Sequence, residues 1–363
     1  MKFTIKKKHS WLYWVQILLF LLLCEKIYNP SYISGKYNAV VTVMFVISSI
    51  ILILTQKCRL NTNDMIPLML IGGMVLYGFC RESIRYGMTF FSLLVWNKIQ
   101  IKNLDIFSRA LVITGLGFSL LDIKRGDERI SGFFSGSATI YSCALVVIFL
   151  YFMFKKERTK QDYLFAVLCF AMALKTKSSS TLLLFLALII YKIFINIFYR
   201  FGWKSWLTKA VIICSVIVVA VLLINNLDSA LSIIGRKNRI ASTSTRIDIY
   251  QAFWKMMIHS PKSFLLGYGG GFSQKYIRAY WGATSHLPLH QDILMFACEY
   301  GVIGLFLIYR YLIKPYRLNF LLIITLTLAT FHNIILSPMT LLLIVMTSNA
   351  LNLQYNNTKE LWR

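Results

Sequence analysis

Basic side chains dominate the stretch 225–291: Arg236, Lys237, Arg239, Arg246, Lys255, Lys262, Lys275 and Arg278. Only Asp228 and Asp248 oppose them. The stretch then runs into His290-Gln291-Asp292 at the mouth of an apolar segment. A guanidinium grips phosphate oxygens in pairs. A neutral imidazole accepts a proton near pH 7. Together they suit chemistry on an anionic, lipid-borne substrate.

Two residues stand out. Arg246 follows Ser242-Thr243-Ser244-Thr245, and Ser and Thr are helix N-caps. The pattern predicts a helix over 246–259 with Arg246 in its first turn, where unpaired N–H groups and the helix dipole attract phosphate. A capped surface helix with its arginine facing lipid headgroups accounts for the same residues equally well. His290 is the sharper candidate, because nearby arginines disfavour the imidazolium and keep the ring a competent base. Asp292 either orients it or starts the next helix. An isolated histidine is more often an interfacial residue satisfied by backbone, and His286 competes on residue type. The turn Gly267-Tyr268-Gly269-Gly270-Gly271 lacks the Gly-Lys-Ser/Thr of a nucleotide loop.

These residues must be held by membrane-embedded helices. The chain has 363 residues, 57% of them hydrophobic, with a mean hydropathy of +0.63. Soluble domains are less apolar. Apolar runs recur along the whole length, and backbone polar groups in lipid must bond internally. The fold class is therefore all-α: a polytopic transmembrane bundle forming one integral domain over 1–363. About 12 spans are expected, near 11–28, 39–55, 65–80, 84–97, 109–122, 133–154, 162–175, 178–198, 207–224, 292–310, 318–331 and 334–351.

The net charge of +25 sorts by side. Lys2, Lys6, Lys7 and Lys8 precede the first apolar run and place the N-terminus inside. No small-residue cleavage site follows, so this run is read as an uncleaved span. Alternate loops then carry Lys57/Arg59, Lys98/Lys102/Arg109, Lys155/Lys156/Arg158/Lys160, Arg200/Lys204 and Arg310/Lys314/Arg317, as inner loops should. That leaves 225–291 as a large external loop between spans 9 and 10, basic for a reason other than topology. Three shorter outer segments are basic too: Arg81-Glu82-Ser83-Ile84-Arg85, the turn 124–129, and Lys175-Thr176-Lys177. Cysteines fall in apolar runs (Cys24, Cys143, Cys169, Cys214, Cys298) or an inner loop (Cys58), so no disulfide framework or metal cluster is suggested.

Within the loop, Ile249, Phe253 and Met256 share one helical face and Tyr250, Trp254 and Met257 another. Such wide apolar coverage calls for packing on the membrane surface or across the tops of the spans. Pro261 is expected to end this helix, and 273–281 to form a second short one.

Several ordered motifs carry a family resemblance. Arg246-x-x-x-Tyr250, Pro261, Leu266-Gly267-Tyr268-Gly269, His290-x-x-x-Leu294 and Gly301-Val302-Ile303-Gly304 together resemble the O-antigen ligase and polysaccharide polymerase family. Arg129-x-x-Gly132-Phe133 is similar to the family's earlier outer-loop arginine motif. The chain departs from the pattern in two places. Gln291 stands where the family has Asn, and Thr176-Lys177-Ser178-Ser179 stands where it has Ser-Arg, so Lys177 or Lys175 is left to supply that charge.

The resemblance implies glycosyl transfer without a metal or other cofactor. The donor is a saccharide on undecaprenyl pyrophosphate, and the acceptor is a sugar hydroxyl. It implies His290, Arg246 and Arg129 as catalytic residues, and Lys177, Arg278, Tyr250, Asp292, Gly267 and Gly269 as substrate-binding ones. The expected partners are the lipid-linked donor, a glycan acceptor and the bilayer, with a chain-length regulator and a flippase as further candidates and no nucleic acid. The setting is the bacterial cytoplasmic membrane, with the site on its outer face. A polymerase is the preferred reading, and a ligase acting on lipid A core or another acceptor is the alternative. A lipid-oligosaccharide flippase belongs to another class. Transporters carry internal repeats and midplane polar sites, whereas here no repeat is visible and charge gathers in one outer loop.

Overall fold

The computed structural model describes residues 10–28, 34–55, 58–99, 103–134, 138–178, 181, 185, 240–281, 291–313 and 338–354. The basic N-terminal residues, the apolar runs expected near 207–224 and 318–331, most of that near 178–198, and residues 225–239 and 282–290 lie outside this set. Among the described residues every regular element is helical. In chain order these are α1 (Ser10–Leu23), α2 (Glu25–Tyr28), α3 (Ser34–Leu54), α4 (Met65–Leu76), α5 (Arg81–Trp96), α6 (Asp105–Lys124), α7 (Ala138–Phe154) and α8 (Lys160–Lys175). The loop helices α9 (Ile240–Met257), α10 (Pro261–Leu266) and α11 (Phe272–Trp281) follow, then α12 (Asp292–Leu307) and α13 (Pro338–Gln354).

Helix α7 is the hub. Its sequence ATIYSCALVVIFLYFMF is apolar around the whole circumference and holds no Gly or Pro. Every residue from Tyr141 to Phe152 is buried. A helix apolar on all sides belongs inside a bundle, and here α8 packs along one flank and α13 along another. Helix α6 joins α8, and α1 leans on α6. Beyond α13 lies α5, which also meets α3 and α4.

The remaining helices turn large apolar side chains outward: Ile106, Ile113 and Leu120 on α6, Leu164 and Val167 on α8, Met69 and Leu76 on α4, Phe306 on α12. An apolar exterior of this extent suits lipid rather than water. Among the described residues two helices are long and apolar enough to cross a membrane, Asp105–Lys124 and Asp292–Leu312, with shorter apolar helices at Val40–Leu54, Thr62–Leu76, Ala138–Phe154 and Thr340–Gln354. This accounts for fewer spans than the 12 expected, several of which fall outside the described residues.

Charges at the ends of α6, α7 and α8 are paired. At one end the buried Lys155 Nζ donates to Asp105 Oδ1 at 2.9 Å and Asp162 Oδ2 at 2.8 Å. Arg109 Nη2 reaches Asp162 Oδ1 at 2.9 Å, and Tyr151 OH donates to Asp105 at 2.9 Å. A buried charge without a partner would be costly.

The loop helices differ from expectation in two places. Helix α9 starts at Ile240, so Ser242–Thr245 lie inside it and Arg246 is beyond the first turn. No Gly or Pro separates Ile240 from Arg246, and a hydroxyl caps a helix only where the preceding backbone has left the helical region. Pro261 does not end α9, which stops at Met257. Instead it opens α10 at the first helical position, behind Ser260 as N-cap, whose Oγ accepts the Ser263 N–H at 3.1 Å. Proline suits that position because its missing N–H would go unused there. Residues Ile249, Phe253 and Met257 form the buried face of α9 while Trp254 is exposed, so this helix packs on α12 along one stripe. The short helix expected over 273–281 is α11.

Candidate functional site

Two constructions occupy the end of the bundle to which the outer loops were assigned. The first joins α6, α7 and α8. Helix α6 ends at Lys124, and the chain returns through a loop with left-handed glycines at Gly126 (φ +79°) and Gly132 (φ +55°). Asp122, almost fully buried, organises this loop: its Oδ2 accepts the N–H of Ser131 at 2.8 Å and of Gly132 at 3.2 Å. Its Oδ1 pairs with Lys26 in α2, and Lys26 N–H donates to the Phe133 carbonyl at 3.0 Å. A Cβ on Gly132 would run into the Tyr141 ring, so glycine is required for space as well as for φ.

Held in this way, the loop delivers Arg129 to the end of α8. Arg129 Nε donates to the Thr176 carbonyl at 2.9 Å, and Nη2 lies 3.5 Å from Thr139 Oγ1 on α7. The next residue, Lys177, adopts φ +52°, a conformation a lysine takes only at a cost of about 1–2 kcal/mol. Its Nζ lies 3.5 Å from Glu128 Oε1. Two site residues named from sequence, Arg129 and Lys177, are thus neighbours although nearly fifty positions apart in the chain. Lys175, the other candidate for that charge, is exposed in the last turn of α8. Strain held at such a junction is a common mark of a functional site.

The second construction ties the loop helices to α12. That helix is broken at Gly301, where φ is +67° and ψ −179°. The break frees carbonyls that an unbroken helix would use. Tyr268 N–H takes the Cys298 carbonyl at 2.9 Å, and Gly269 N–H takes that of Glu299 at 2.8 Å. The end of α10 lies so close that a Cβ on Gly301 would strike the Leu265 carbonyl. Glu299, fully buried, accepts from both the N–H and Oγ of Ser273 at the start of α11. From the opposite side Tyr77 OH donates to the Gly267 carbonyl at 3.0 Å, and Cys80 Sγ lies 3.1 Å from the Gly270 carbonyl. The glycine turn is therefore a fixed clamp between α12 and the α4–α5 corner. The N–H groups of Gly267 and Gly269 bond to Ser263 and Glu299 carbonyls, an arrangement that positions backbone rather than cradling phosphate.

Among the other residues named from sequence, Asp292 heads α12 as its first helical residue, is fully buried, and follows Gln291 as N-cap. Tyr250 is half-buried on α9 and packs against the core. Arg246 and Arg278 lie on helices α9 and α11, but their side chains fall outside the described residues, as do His290 and His286 altogether. Sequence reasoning missed Asp122, Thr176, Ser273 and Glu299. For Asp122 and Glu299 a signal existed, since an acid inside an apolar run flags a special site. For Thr176 and Ser273 none did, because their roles come from backbone geometry.

These features define a helical, membrane-type protein in which the helices over 240–281 are built on one broken helix. Residues 163–309 match the family model described as O-antigen ligase, a stretch running from α8 through α12, and this supports the resemblance to the O-antigen ligase and polysaccharide polymerase family. The match points to ligase- or polymerase-type glycan transfer at a bacterial membrane. Arg129 lies upstream of the matched stretch. No curated protein matches the chain.

Proposed function

We propose that this protein is a polymerase of a cell-surface polysaccharide, whether O-antigen, capsule or exopolysaccharide. It transfers undecaprenyl-pyrophosphate-linked glycan to the hydroxyl of a lipid-linked repeat unit at the outer face of the cytoplasmic membrane. The observation that carries this reading is the match over 163–309, which includes both the loop helices and the stretch 282–291. In the reaction the acceptor hydroxyl gives its proton to His290, and its oxygen bonds to the anomeric carbon. The bond from that carbon to the diphosphate oxygen breaks, and undecaprenyl pyrophosphate leaves with the electron pair.

Arg246 and Arg129 stabilise the charge that develops on the leaving group, with Lys177 and Arg278 holding the diphosphate. Tyr250 and Asp292 shape the site, and Gly267 and Gly269 act by fixing the loop to α12. Guanidinium groups take the place of a metal, so transfer should survive EDTA.

The ligase reading has its own support, since the matched model is described by that activity. One experiment separates the two. Purified protein receives lipid-pyrophosphate repeat units, with and without a core acceptor. A ladder of products without the core acceptor supports the polymerase, and a single transfer that needs the acceptor supports the ligase. No transfer under either condition overturns both.

A further inference from the structure

We propose that Arg85 is a further donor-binding residue, contacting the diphosphate of the lipid-linked donor. The proposal rests on the glycan-transfer reading above and adds a residue that the sequence motifs leave unassigned. Arg85 lies in the second turn of α5, and it is half-buried. The other partly or fully buried basic side chains among the described residues have polar partners: Lys26 with Asp122, Lys98 with Asp64, Arg109 and Lys155 with Asp162, Arg129 with Thr176, and Lys177 with Glu128. Arg85 differs, because its recorded contact is the face of the Tyr86 ring, 5.8 Å from its Cζ.

A partly desolvated guanidinium that lacks an anion is unfavourable. The site is unfavourable on a second count. Arg81 and Arg85 fall in the first two turns of α5, where the helix dipole disfavours cations. The positive-inside rule gives no reason for charge at this end of the bundle either. Both penalties vanish once an anion is bound.

Position argues for which anion. Tyr86, beside Arg85, lies with its OH 3.8 Å from Met295 Sδ and its ring 5.4 Å from that of Phe296, both on the first two turns of α12. Arg85 therefore stands beside the head of the helix that begins immediately after His290-Gln291. The first turn of α5 is also tied to the glycine turn through Cys80. A phosphate-bearing group presented to the loop helices at this corner would meet Arg85 from the bundle side.

Phosphate at a membrane surface has two sources, the donor diphosphate and bilayer headgroups, and the test distinguishes them. Wild type, Arg85→Gln, Arg85→Lys and Arg85→Met are placed in nanodiscs of phosphatidylcholine alone or with phosphatidylglycerol. Binding of undecaprenyl pyrophosphate and of undecaprenyl monophosphate is measured, together with melting temperature. Methionine keeps the apolar stem over Tyr86, so it controls for packing. The expected result is weaker diphosphate binding by about tenfold to a hundredfold in the Gln and Met variants, with partial retention in the Lys variant. The loss should be smaller for monophosphate, with little change in melting temperature and no dependence on phosphatidylglycerol. Unchanged diphosphate affinity in Arg85→Gln, beside a wild type that binds, overturns this inference and leaves the transfer reading standing. An effect seen only with phosphatidylglycerol assigns Arg85 to headgroups and also overturns it. If wild type binds neither lipid, the glycan-transfer reading itself fails.

Discussion

Replacing Asp122 should separate what holds the Arg129 loop from what holds the bundle. Asp122 accepts two backbone N–H groups of the loop and pairs with Lys26, whose side chain is only 11% exposed. Asp122→Ala strands the Lys26 charge and both N–H donors. Breaking one half of a buried pair costs about 3–5 kcal/mol, so the single variant should melt far below wild type. Lys26→Met in turn strands the buried Asp122 carboxylate, but its two N–H donors remain, so the cost should sit at the low end of that range, about 3 kcal/mol. In the double variant no charge is stranded. What remains is two N–H groups without an acceptor, at about 1–3 kcal/mol each, so Lys26→Met should restore part of the stability that Asp122→Ala removes.

Activity should not follow stability. The loop stays released in the double variant, Arg129 loses its hold on Thr176, and glycan transfer should fall by about 10²-fold or more, as for a lost charge-stabilising donor. Lys26→Met alone should transfer normally. The assays are thermal unfolding in detergent and product ladders from lipid-pyrophosphate repeat units at a temperature where all variants are folded. A double variant that is folded and fully active would refute the claim that Asp122 positions Arg129.

Arg246→Lys keeps the charge but loses the planar two-point contact, so polymer formation should drop sharply at normal membrane levels, and Arg246→Ala should drop further. Full-length polymer from both would reduce Arg246 to a headgroup contact. His290→Ala should abolish polymer while donor still binds, and His286→Ala should retain most activity; the opposite pattern would mean that the alignment of this segment is wrong. Because imidazolium cannot accept a proton, wild-type transfer should fall on acidification through the pKa of the histidine, and a rate that does not fall on acidification would exclude a histidine base. Gly301→Ala forces a Cβ toward the Leu265 carbonyl at a residue with φ +67°. It should lower the melting temperature and speed amide exchange at Tyr268 and Gly269, whereas unchanged exchange would mean that the clamp is not under this control. A cysteine at Lys262 should label with an impermeant reagent from outside and one at Lys156 should not; reversed labelling would invert the membrane orientation and with it the donor side.

Charge and hydropathy assigned each loop a side. Loops assigned to one side meet one another: Lys156 N–H reaches Gln354, and Asn349 reaches the carbonyl of Asn97. Span ends and loops assigned to the other side also meet, through Lys26 with Asp122, Arg129 with Thr176, and Tyr77 with Gly267. Local starts and stops were less legible. Ser242–Thr245 have the composition of a cap but lie within a helix, because composition does not reveal where the preceding backbone leaves the helical region. Pro261 marks a boundary in either direction, and only the capping pair Ser260–Ser263 makes it a beginning. The pairing of Arg129 with the end of α8 could not be read at all, since it depends on a loop folded around one carboxylate.

The break in α12 explains why glycines recur on both sides of the family pattern. Gly301 alone would leave two carbonyls unsatisfied in an apolar setting, at about 1–3 kcal/mol each, and the turn 267–271 alone would be an unanchored tether. Together each satisfies the other's backbone. Opening the clamp would expose the Cys298 and Glu299 carbonyls and the buried Glu299 side chain at once, which ties the loop helices to α12. On the proposed function, a lipid-linked substrate would meet a preformed corner of α5, α12 and the loop, with its tail entering between spans. This is the preorganisation that electrostatic stabilisation of a departing diphosphate requires, because donors that have to be reoriented during the reaction lose much of their effect.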